Sequence, residues 1–269
     1  MKLLIKSVVL LLAFSPALSQ AGLADKFKEV VNTNYENKSI DIDYGDFQIN
    51  YSCFHAGYNY AKYNTVPDRG SESRYSPFHL DKSTLKSWCP SQISTKSYYR
   101  KKGETQYDRG HGVHQNIWDH SREAMKKTNM MTNIVPQNRE QNRYGLWRKL
   151  ETRVECARDL KDSAGMSTST SVFLGNIWGD DKSNDHFRRS HLVTTPDFLW
   201  RVHVYPTEPN KAYAWIIPND ANAKLSNEHQ YRATMHEIAE RAEYPIQFPK
   251  GWSDATDTDP HVEIKCSWK

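Results

Sequence analysis

The chain has 269 residues, of which 38% are hydrophobic, and its 8 tryptophans, 15 tyrosines and 9 phenylalanines provide large side chains for a core. The formal charge is +4, and removal of Lys2 and Lys6 would lower it by two, so the overall balance does not by itself indicate a nucleic-acid partner. With a mean hydropathy of −0.81, no segment after the first residues is apolar enough to cross a membrane.

The first residues have the pattern of a secretory signal peptide. Lys2 and Lys6 give a basic start, residues 8–14 are apolar, and residues 16–21 supply the small side chains of a cleavage site. A membrane anchor is the alternative, but the apolar run is shorter than the ~20 residues that a spanning helix needs. We predict a signal peptide at residues 1–21 and a mature protein that is secreted or periplasmic.

No internal repeat and no low-complexity linker divides the rest of the chain. We therefore predict one compact domain, placed at residues 51–250 between an N-terminal extension at 22–50 and a C-terminal tail at 251–269.

Four cysteines in an exported chain indicate two disulfides. The sequence leaves three pairings open. We favour Cys53 with Cys89, and Cys156 with Cys266, because the second pair would tether the tail. A zinc knuckle is the alternative, but no two of these cysteines have its close spacing.

Local patterns predict more strands than helices. Apolar residues recur at helical spacing only around Leu146, Leu150 and Val154, whereas alternating or aromatic runs are frequent. In chain order we expect a helix at 25–35, strands at 47–51 and 58–63, a turn at 67–70, a strand within 98–107, a helix at 142–160, strands at 171–174, 198–204 and 212–217, and a helix at 228–242. Because strands and helices do not alternate regularly, we predict an α+β fold with a mostly antiparallel sheet.

A short motif carries the strongest chemical signal. Residues 108–111 read Asp-Arg-Gly-His, residues 132–137 read Thr-Asn-Ile-Val-Pro-Gln, and Asn142 follows. Hydrolysis of a phosphodiester needs a base, a cation and a positioned substrate. His111 is the candidate base, because a neutral imidazole accepts a proton near neutral pH. Asn142 is the candidate magnesium ligand, because magnesium prefers oxygen and keeps several waters.

Each of these residues also has a structural alternative. His111 could be a buried structural histidine, and Asn142 could cap the helix that follows it. Glu151 could orient metal-bound waters or form an ordinary surface salt bridge. Arg109 can bind a phosphate or a carboxylate through two parallel hydrogen bonds, and Asp108 either orients a neighbouring loop or binds the metal.

Gly110 would make room for a backbone turn or a phosphate. Basic residues cluster on both sides of the asparagines, where they form either a phosphate-binding face or a solvated helix face: Lys126, Lys127, Arg139, Arg143, Arg148, Lys149 and Arg153.

Taken in order, these motifs resemble the signature of the DNA/RNA non-specific endonuclease family, the ββα-metal or His-Me finger nucleases. The resemblance runs from about residue 51 to 249. It also includes Asn129, Trp147, and the segments at 195–201, 214–219, 238–240 and 248–249. It implies an α+β fold whose active site is a ββα-metal motif.

The resemblance also implies roles for individual residues. His111 would be the general base, Asn142 the direct magnesium ligand and Glu151 the holder of metal-bound waters. Arg109 would contact the substrate or brace the metal-binding helix, and Asn133 would support the site by hydrogen bonding.

Substrate-binding roles fall on three further residues. Asn129 and Gln137 would line or brace the site, and Arg74, rather than Arg69, would be the upstream arginine that binds a substrate phosphate.

Three departures from the family pattern affect substrate contacts more than the chemistry. Asn142 and Trp147 are one residue further apart than usual, and residues 175–178 replace a glycine-proline turn. Glu155 occupies the place of an arginine, and Arg153 and Arg158 are the two candidates to replace it.

We therefore predict a secreted endonuclease that uses Mg²⁺, with Mn²⁺ able to substitute, and that cleaves DNA and RNA with little sequence preference to leave 5′-phosphate ends. The alternatives are a non-catalytic nucleic-acid-binding module on the same fold and an exported zinc hydrolase. Expected partners are nucleic-acid substrates and a possible protein inhibitor, without a membrane. The oligomeric state stays open.

Overall fold

The computed structural model describes residues 38–81, 85–161, 164–165 and 169–256. The predicted signal peptide, the predicted helix at 25–35 and the end of the tail with Cys266 lie outside these residues. Across the described ranges, no helix has both the length and the apolar character needed to span a bilayer.

The strands form one large and one small sheet. In chain order they are β1 (Ser39–Asp43), β2 (Gln48–Ser52), β3 (Gly57–Asn64), β4 (Tyr107–His111), β5 (Ile134–Asn138), β6 (Ser171–Ile177), β7 (Phe198–Val204), β8 (Lys211–Pro218), β9 (Arg232–Ala233) and β10 (Ser253–Asp254). The large sheet has the order β1-β2-β3-β6-β7-β8-β10, with β9 also paired to β8. Among the strand pairs of the described residues, only β8–β10 is parallel, which confirms the α+β class with a mostly antiparallel sheet.

Four α-helices are described: α1 (Arg122–Thr128), α2 (Arg139–Arg143), α3 (Leu146–Ala157) and α4 (Met235–Arg241). Single turns of 3-10 helix lie at Gln115–Trp118, Met131–Asn133 and Lys182–Asn184, and a longer one at Leu225–Tyr231. The small sheet consists of β4 and β5, which pair antiparallel with His111 opposite Ile134. These two strands and α3 form a ββα unit.

Alternation along β7 shows how the large sheet is covered on both faces. Trp200 and Val202 pack in one buried cluster with Ile238 of α4. Successive strand residues point to opposite faces, and the guanidinium of Arg201 lies 4.6 Å from the ring centre of Trp147 on α3. The large sheet therefore separates α4 from the ββα unit.

Several predicted elements match the structure, and the predicted strands at 47–51, 58–63, 198–204 and 212–217 correspond to β2, β3, β7 and β8. The strand expected at 171–174 continues to Ile177. The strand expected within 98–107 does not begin until Tyr107, so that it contains the Asp-Arg-Gly-His motif instead of preceding it. β1, β5 and α1 were not predicted. Residues 39–50, expected in an N-terminal extension, contribute β1 and part of β2 to the large sheet.

Two predicted helices are shorter than expected because local groups end or begin them. The helix predicted at 142–160 is divided at Gly145, where a Cβ atom would lie 1.9 Å from Oε1 of Gln141. That oxygen accepts a hydrogen bond from the Trp147 amide at 3.1 Å and so caps α3. The helix predicted at 228–242 begins only at Met235, because Thr234 and Glu237 form a capping box.

One of the two favoured disulfides is directly described. Cys53 and Cys89 are bonded, with their Cα atoms 4.9 Å apart, which confirms that pairing. Cys156 is also disulfide-bonded, and its predicted partner Cys266 lies outside the described residues.

Candidate active site

A cleft of about 660 Å³ opens at the ββα unit. The end of β4 contributes Arg109 and His111, α2 contributes Asn142, and α3 contributes Glu151. Arg74 lies in the cleft wall and Arg69 does not. Five sequence-predicted residues that are distant in the chain are therefore brought to one cavity.

His111 is held at the bottom of the cleft by the fully buried amide of Asn129. His111 Nε2 lies 2.8 Å from Asn129 Oδ1. The amide nitrogen of Asn129 donates to the carbonyl oxygens of Tyr75 and Pro77, both at 2.9 Å. Because two carbonyls fix the donor end of this amide, its oxygen must face the imidazole as an acceptor. Neutral His111 therefore carries its proton on Nε2 and has an unprotonated Nδ1.

The surroundings also keep His111 neutral. Burial lowers the pKa of its imidazole to about 4, although the hydrogen bond to Asn129 acts in the opposite direction. The positive charges of Arg74 and Arg109 lower the pKa further. At neutral pH the ring is therefore an acceptor of protons.

The structure places Asn129 and Asn133 behind the cleft, and neither lines it. Both the oxygen and the nitrogen of the Asn129 amide are used in the contacts that orient His111, so Asn129 braces the site. Asn133 was predicted to support the site by hydrogen bonding, and its amide bonds the backbone N–H and C=O of Val113 at 2.9 and 2.8 Å and the carbonyl of Thr128 at 2.8 Å. It braces the chain just after His111.

Gln137 also lies behind the cleft wall, where it is buried opposite Asp108. A Cβ atom at Gly110 would lie 2.4 Å from Cβ and Oε1 of Gln137. The glycine is therefore required by close packing between β4 and β5, and neither a turn nor a phosphate explains it. Among the described residues, the amide of Gln137 has no hydrogen-bond partner.

Asn142 lies in the last turn of α2, and the N-cap of α3 is Gly145, so the capping alternative for Asn142 is wrong. Its amide nitrogen donates to Asp108 Oδ2 at 3.1 Å, so the amide oxygen is the atom of this side chain that could bind a metal ion. Arg143 donates to the same carboxylate at 2.6 and 2.9 Å. Burial alone would raise the pKa of Asp108, but these bonds outweigh it and lower the pKa. Asp108 thus orients Asn142.

Glu151 is a buried residue of the cleft wall, and three polar side chains lie next to its carboxylate. Its Oε1 accepts from the indole N–H of Trp147 at 3.1 Å, and its Oε2 accepts from Arg148 at 3.3 Å. A guanidinium nitrogen of Arg201, which is completely buried, lies 3.8 Å from Oε1. The packing fixes the carboxylate, and each oxygen keeps a lone pair that can accept from water.

The donor set fits magnesium. The Asn142 amide and the Glu151 carboxylate supply hard oxygens at one cavity, and magnesium accepts few protein ligands because it retains waters. Within the described part of the chain, no group of three or more His, Cys, Asp or Glu side chains is placed to hold a metal ion.

Sequence reasoning missed a buried ion-pair chain next to Glu151. Glu155 Oε1 lies 3.2 Å from His114 Nε2 and 3.0 Å from Arg148 Nη1. Burial alone would raise the pKa of Glu155, but these two partners lower it to about 2. Arg148 thus links Glu151 to Glu155. Spacing on one helix was the available signal, because residues three and four apart share a helix face.

The two arginines considered as substitutes at position 155 are engaged elsewhere. Arg153 donates two hydrogen bonds to the carboxylate of Glu228, at 2.7 and 2.8 Å, in a bidentate ion pair. Arg158 pairs with Asp68 and, at 3.3 Å, with Asp119. Neither lines the cleft, so Arg148 is the guanidinium that the structure brings closest to Glu151.

Arg109 is built into the cleft wall. Its guanidinium stacks 3.8 Å from the ring centre of Phe78 and donates to the carbonyl of Thr95 at 2.7 Å. Phe78 also packs against His111, with ring centres 5.5 Å apart. Arg109 therefore forms part of the wall beside the base.

The fold is shared with solved structures. A chain in a crystal structure of the EndoG/EndoGI complex, which describes the mechanism of EndoG inhibition, matches with a TM-score of 0.61. The match covers 85% of this chain and 95% of that chain at 16% sequence identity, which shows a common fold. A search of curated proteins finds no significant match.

The family follows from the sequence as a whole. The profile described as DNA/RNA non-specific endonuclease matches residues 24–255. The chain therefore belongs to the DNA/RNA non-specific endonuclease family, a family of metal-dependent nucleases. This confirms the resemblance drawn from the Asp-Arg-Gly-His motif.

Proposed function

We propose that this protein is a secreted or periplasmic, magnesium-dependent endonuclease that hydrolyses DNA and RNA with little sequence preference, and that Mn²⁺ can replace Mg²⁺. The observation that carries the proposal is the placement of His111, whose Nε2 lies 2.8 Å from the Asn129 amide oxygen, in one cleft with Asn142 and Glu151. A protein inhibitor is a further expected partner, and the EndoG/EndoGI complex provides a precedent on this fold.

His111 begins the reaction. Its Nδ1 accepts a proton from a water molecule, whose oxygen attacks phosphorus while the bond from phosphorus to the 3′ oxygen breaks. The new phosphorus–oxygen bond leaves the phosphate on the 5′ end, and the 3′ oxygen leaves as an alcohol after it gains a proton from solvent. Asn129 keeps Nδ1 unprotonated throughout the approach of substrate.

Asn142 would hold the magnesium ion through its amide oxygen, and Glu151 would orient the waters around the ion. When bound, the ion supplies positive charge that stabilises the phosphate and the departing oxygen. Arg74, Arg109 and Arg148 face the same cleft and can contact phosphate oxygens. Contacts to the backbone carry no base information, so little sequence preference is expected, and salt should weaken binding.

The test is cleavage of supercoiled plasmid and of total RNA by the mature protein with Mg²⁺ or EDTA. His111→Ala should lower the rate at least about 10²- to 10⁴-fold with DNA binding retained. His120→Ala is the matched control, because His120 is exposed and lies outside the cleft wall. Binding without cleavage by the wild type would favour the binding-module alternative, and cleavage indifferent to His111 would reject the mechanism.

A further inference from the structure

Two tyrosines on the cleft have no structural role that explains their exposure. Tyr99 is 78% exposed and Tyr144 is 67% exposed, the largest values for big hydrophobic side chains among the described residues. Both line the cleft that contains His111. Single exposed apolar side chains are common on protein surfaces, but two such rings at one functional cleft indicate a contact surface for a ligand.

The backbone under Tyr99 is firmly held. Its amide donates to the Ser97 carbonyl at 2.9 Å. The neighbouring Tyr98 is buried and its hydroxyl donates to Gln92 at 2.7 Å. Gln92 in turn donates to the carbonyl of Ile134 on β5 at 2.7 Å, so the exposed ring stands on a segment that is tied to the ββα unit.

The backbone under Tyr144 is held in a similar way. Tyr144 ends α2, and its amide and that of Gly145 both donate to the Glu140 carbonyl, at 2.9 and 2.8 Å. A tyrosine has only two side-chain torsions to fix, so a ring on a rigid backbone presents a flat contact area at low entropic cost.

Cations line the same cleft as the two rings. Arg139 and Arg143 line the same cleft, and they share the carboxylate of Asp108 at 3.4 and 2.6 Å. Two guanidinium groups against one carboxylate leave a net positive charge beside Tyr144. A basic groove combined with aromatic rings is the composition by which proteins bind single-stranded nucleic acid, where the rings stack on bases and the cations follow the phosphates.

We propose that Tyr99 and Tyr144 stack on the unpaired nucleobases of single-stranded nucleic acid. In a duplex the base faces are covered by neighbouring bases, so only unpaired segments present a face to a tyrosine ring. This inference rests on the proposed nuclease function of the same cleft and specifies the form of its substrate.

The experiment measures fluorescence anisotropy of a labelled oligothymidylate and of an abasic oligonucleotide with the same number of phosphates, both in EDTA so that cleavage does not interfere. The wild type should bind the oligothymidylate about 10- to 100-fold more tightly than the abasic strand. Tyr99→Leu and Tyr144→Leu should each reduce that ratio, and the double variant should bring it close to one. Tyr99→Phe and Tyr144→Phe should keep it, because the stacking ring remains.

Trp88→Leu is the matched control, because Trp88 is an exposed aromatic side chain outside the cleft wall, and it should leave the ratio unchanged. Equal wild-type affinity for both strands, or a ratio that survives both leucine substitutions, would overturn the stacking proposal.

Failure of the stacking proposal and failure of the nuclease proposal are distinguishable. A wild type that cleaves plasmid in Mg²⁺ but binds both strands equally rejects stacking alone. A wild type that prefers the oligothymidylate but never cleaves rejects the nuclease and retains stacking. A protein that neither binds the oligothymidylate in EDTA nor cleaves plasmid in Mg²⁺ contradicts both.

Discussion

His111 and Glu151 face the same cleft, but they are held by different kinds of groups. His111 stands at the end of a strand, and its ring is fixed by the neutral amide of Asn129 at 2.8 Å. Glu151 stands on a helix, and an indole and two guanidinium groups surround its carboxylate. A neutral partner fixes a tautomer without adding charge, whereas cations stabilise an anion. The histidine side is thus built for a neutral proton acceptor and the glutamate side for a charged group.

The largest expected effect comes from breaking the histidine side. Asn129→Leu removes the acceptor that holds the proton on Nε2, and a histidine in the wrong tautomer loses about 10²- to 10⁴-fold in kcat. Single-turnover cleavage of plasmid should show this loss, while affinity for an oligonucleotide in EDTA stays within about threefold, since Asn129 does not line the cleft. Near-UV circular dichroism checks the fold. A folded variant with wild-type kcat would contradict the role given to Asn129.

The burial of neutral His111 should make the folded protein less stable at acidic pH. Burial lowers the pKa of His111 to about 4, and the pKa values of His55 and His203 are lowered in the same direction. A histidine in the unfolded chain has a pKa near ~6.5. The unfolded state therefore binds more protons between these values, so stability is full above pH ~6.5 and falls as the pH drops towards 4.

For His111 alone this contribution is about 3 kcal/mol. The free energy of unfolding, measured with urea at several pH values, should fall less steeply with decreasing pH for His111→Asn than for the wild type. The same dependence of the unfolding free energy on pH in both proteins would show that His111 is not held neutral by burial.

The glutamate side should respond more weakly. Glu151→Gln keeps the size of the side chain and removes its charge, and loss of such an indirect contact to a metal costs about 10- to 100-fold in activity or metal affinity. A titration of the cleavage rate with Mg²⁺ should show a higher half-saturating concentration.

Glu155→Gln is the matched comparison, because Glu155 lies one turn further along α3, also contacts Arg148, and does not line the cleft. We expect its Mg²⁺ requirement to stay within about threefold of the wild type. An equal rise in both variants would mean that Arg148, held by both carboxylates, is the group that matters.

Sequence patterns succeeded where local rules decide the outcome. The alternating, aromatic or apolar runs in β2, β3, β7 and β8 were sufficient to predict these strands. β5 was missed because it is short and contains Pro136, and it is defined by its pairing with Arg109 of the motif strand. α3 was predicted from its apolar spacing, but its start was placed too early because the close approach of Gly145 to Gln141 is a tertiary contact.

In the candidate active site, too, local motifs were predictable from the sequence and tertiary contacts were not. The motif led to His111, Asn142, Glu151 and Arg109, and the structure brings all four to one cleft. The role of Asn129 depends on two carbonyls more than fifty residues away in the chain, and no local pattern encodes that contact.

The most direct test of the account is the protonation state of the His111 ring. A long-range ¹H–¹⁵N spectrum of the ¹⁵N-histidine-labelled wild type, assigned by comparison with His111→Asn, distinguishes the two ring nitrogens. We predict that at pH 7 Nε2 is protonated and Nδ1 is not, and that the ring takes up its second proton only near pH 4. A proton on Nδ1, or an imidazolium at pH 7, would contradict the proposed general base.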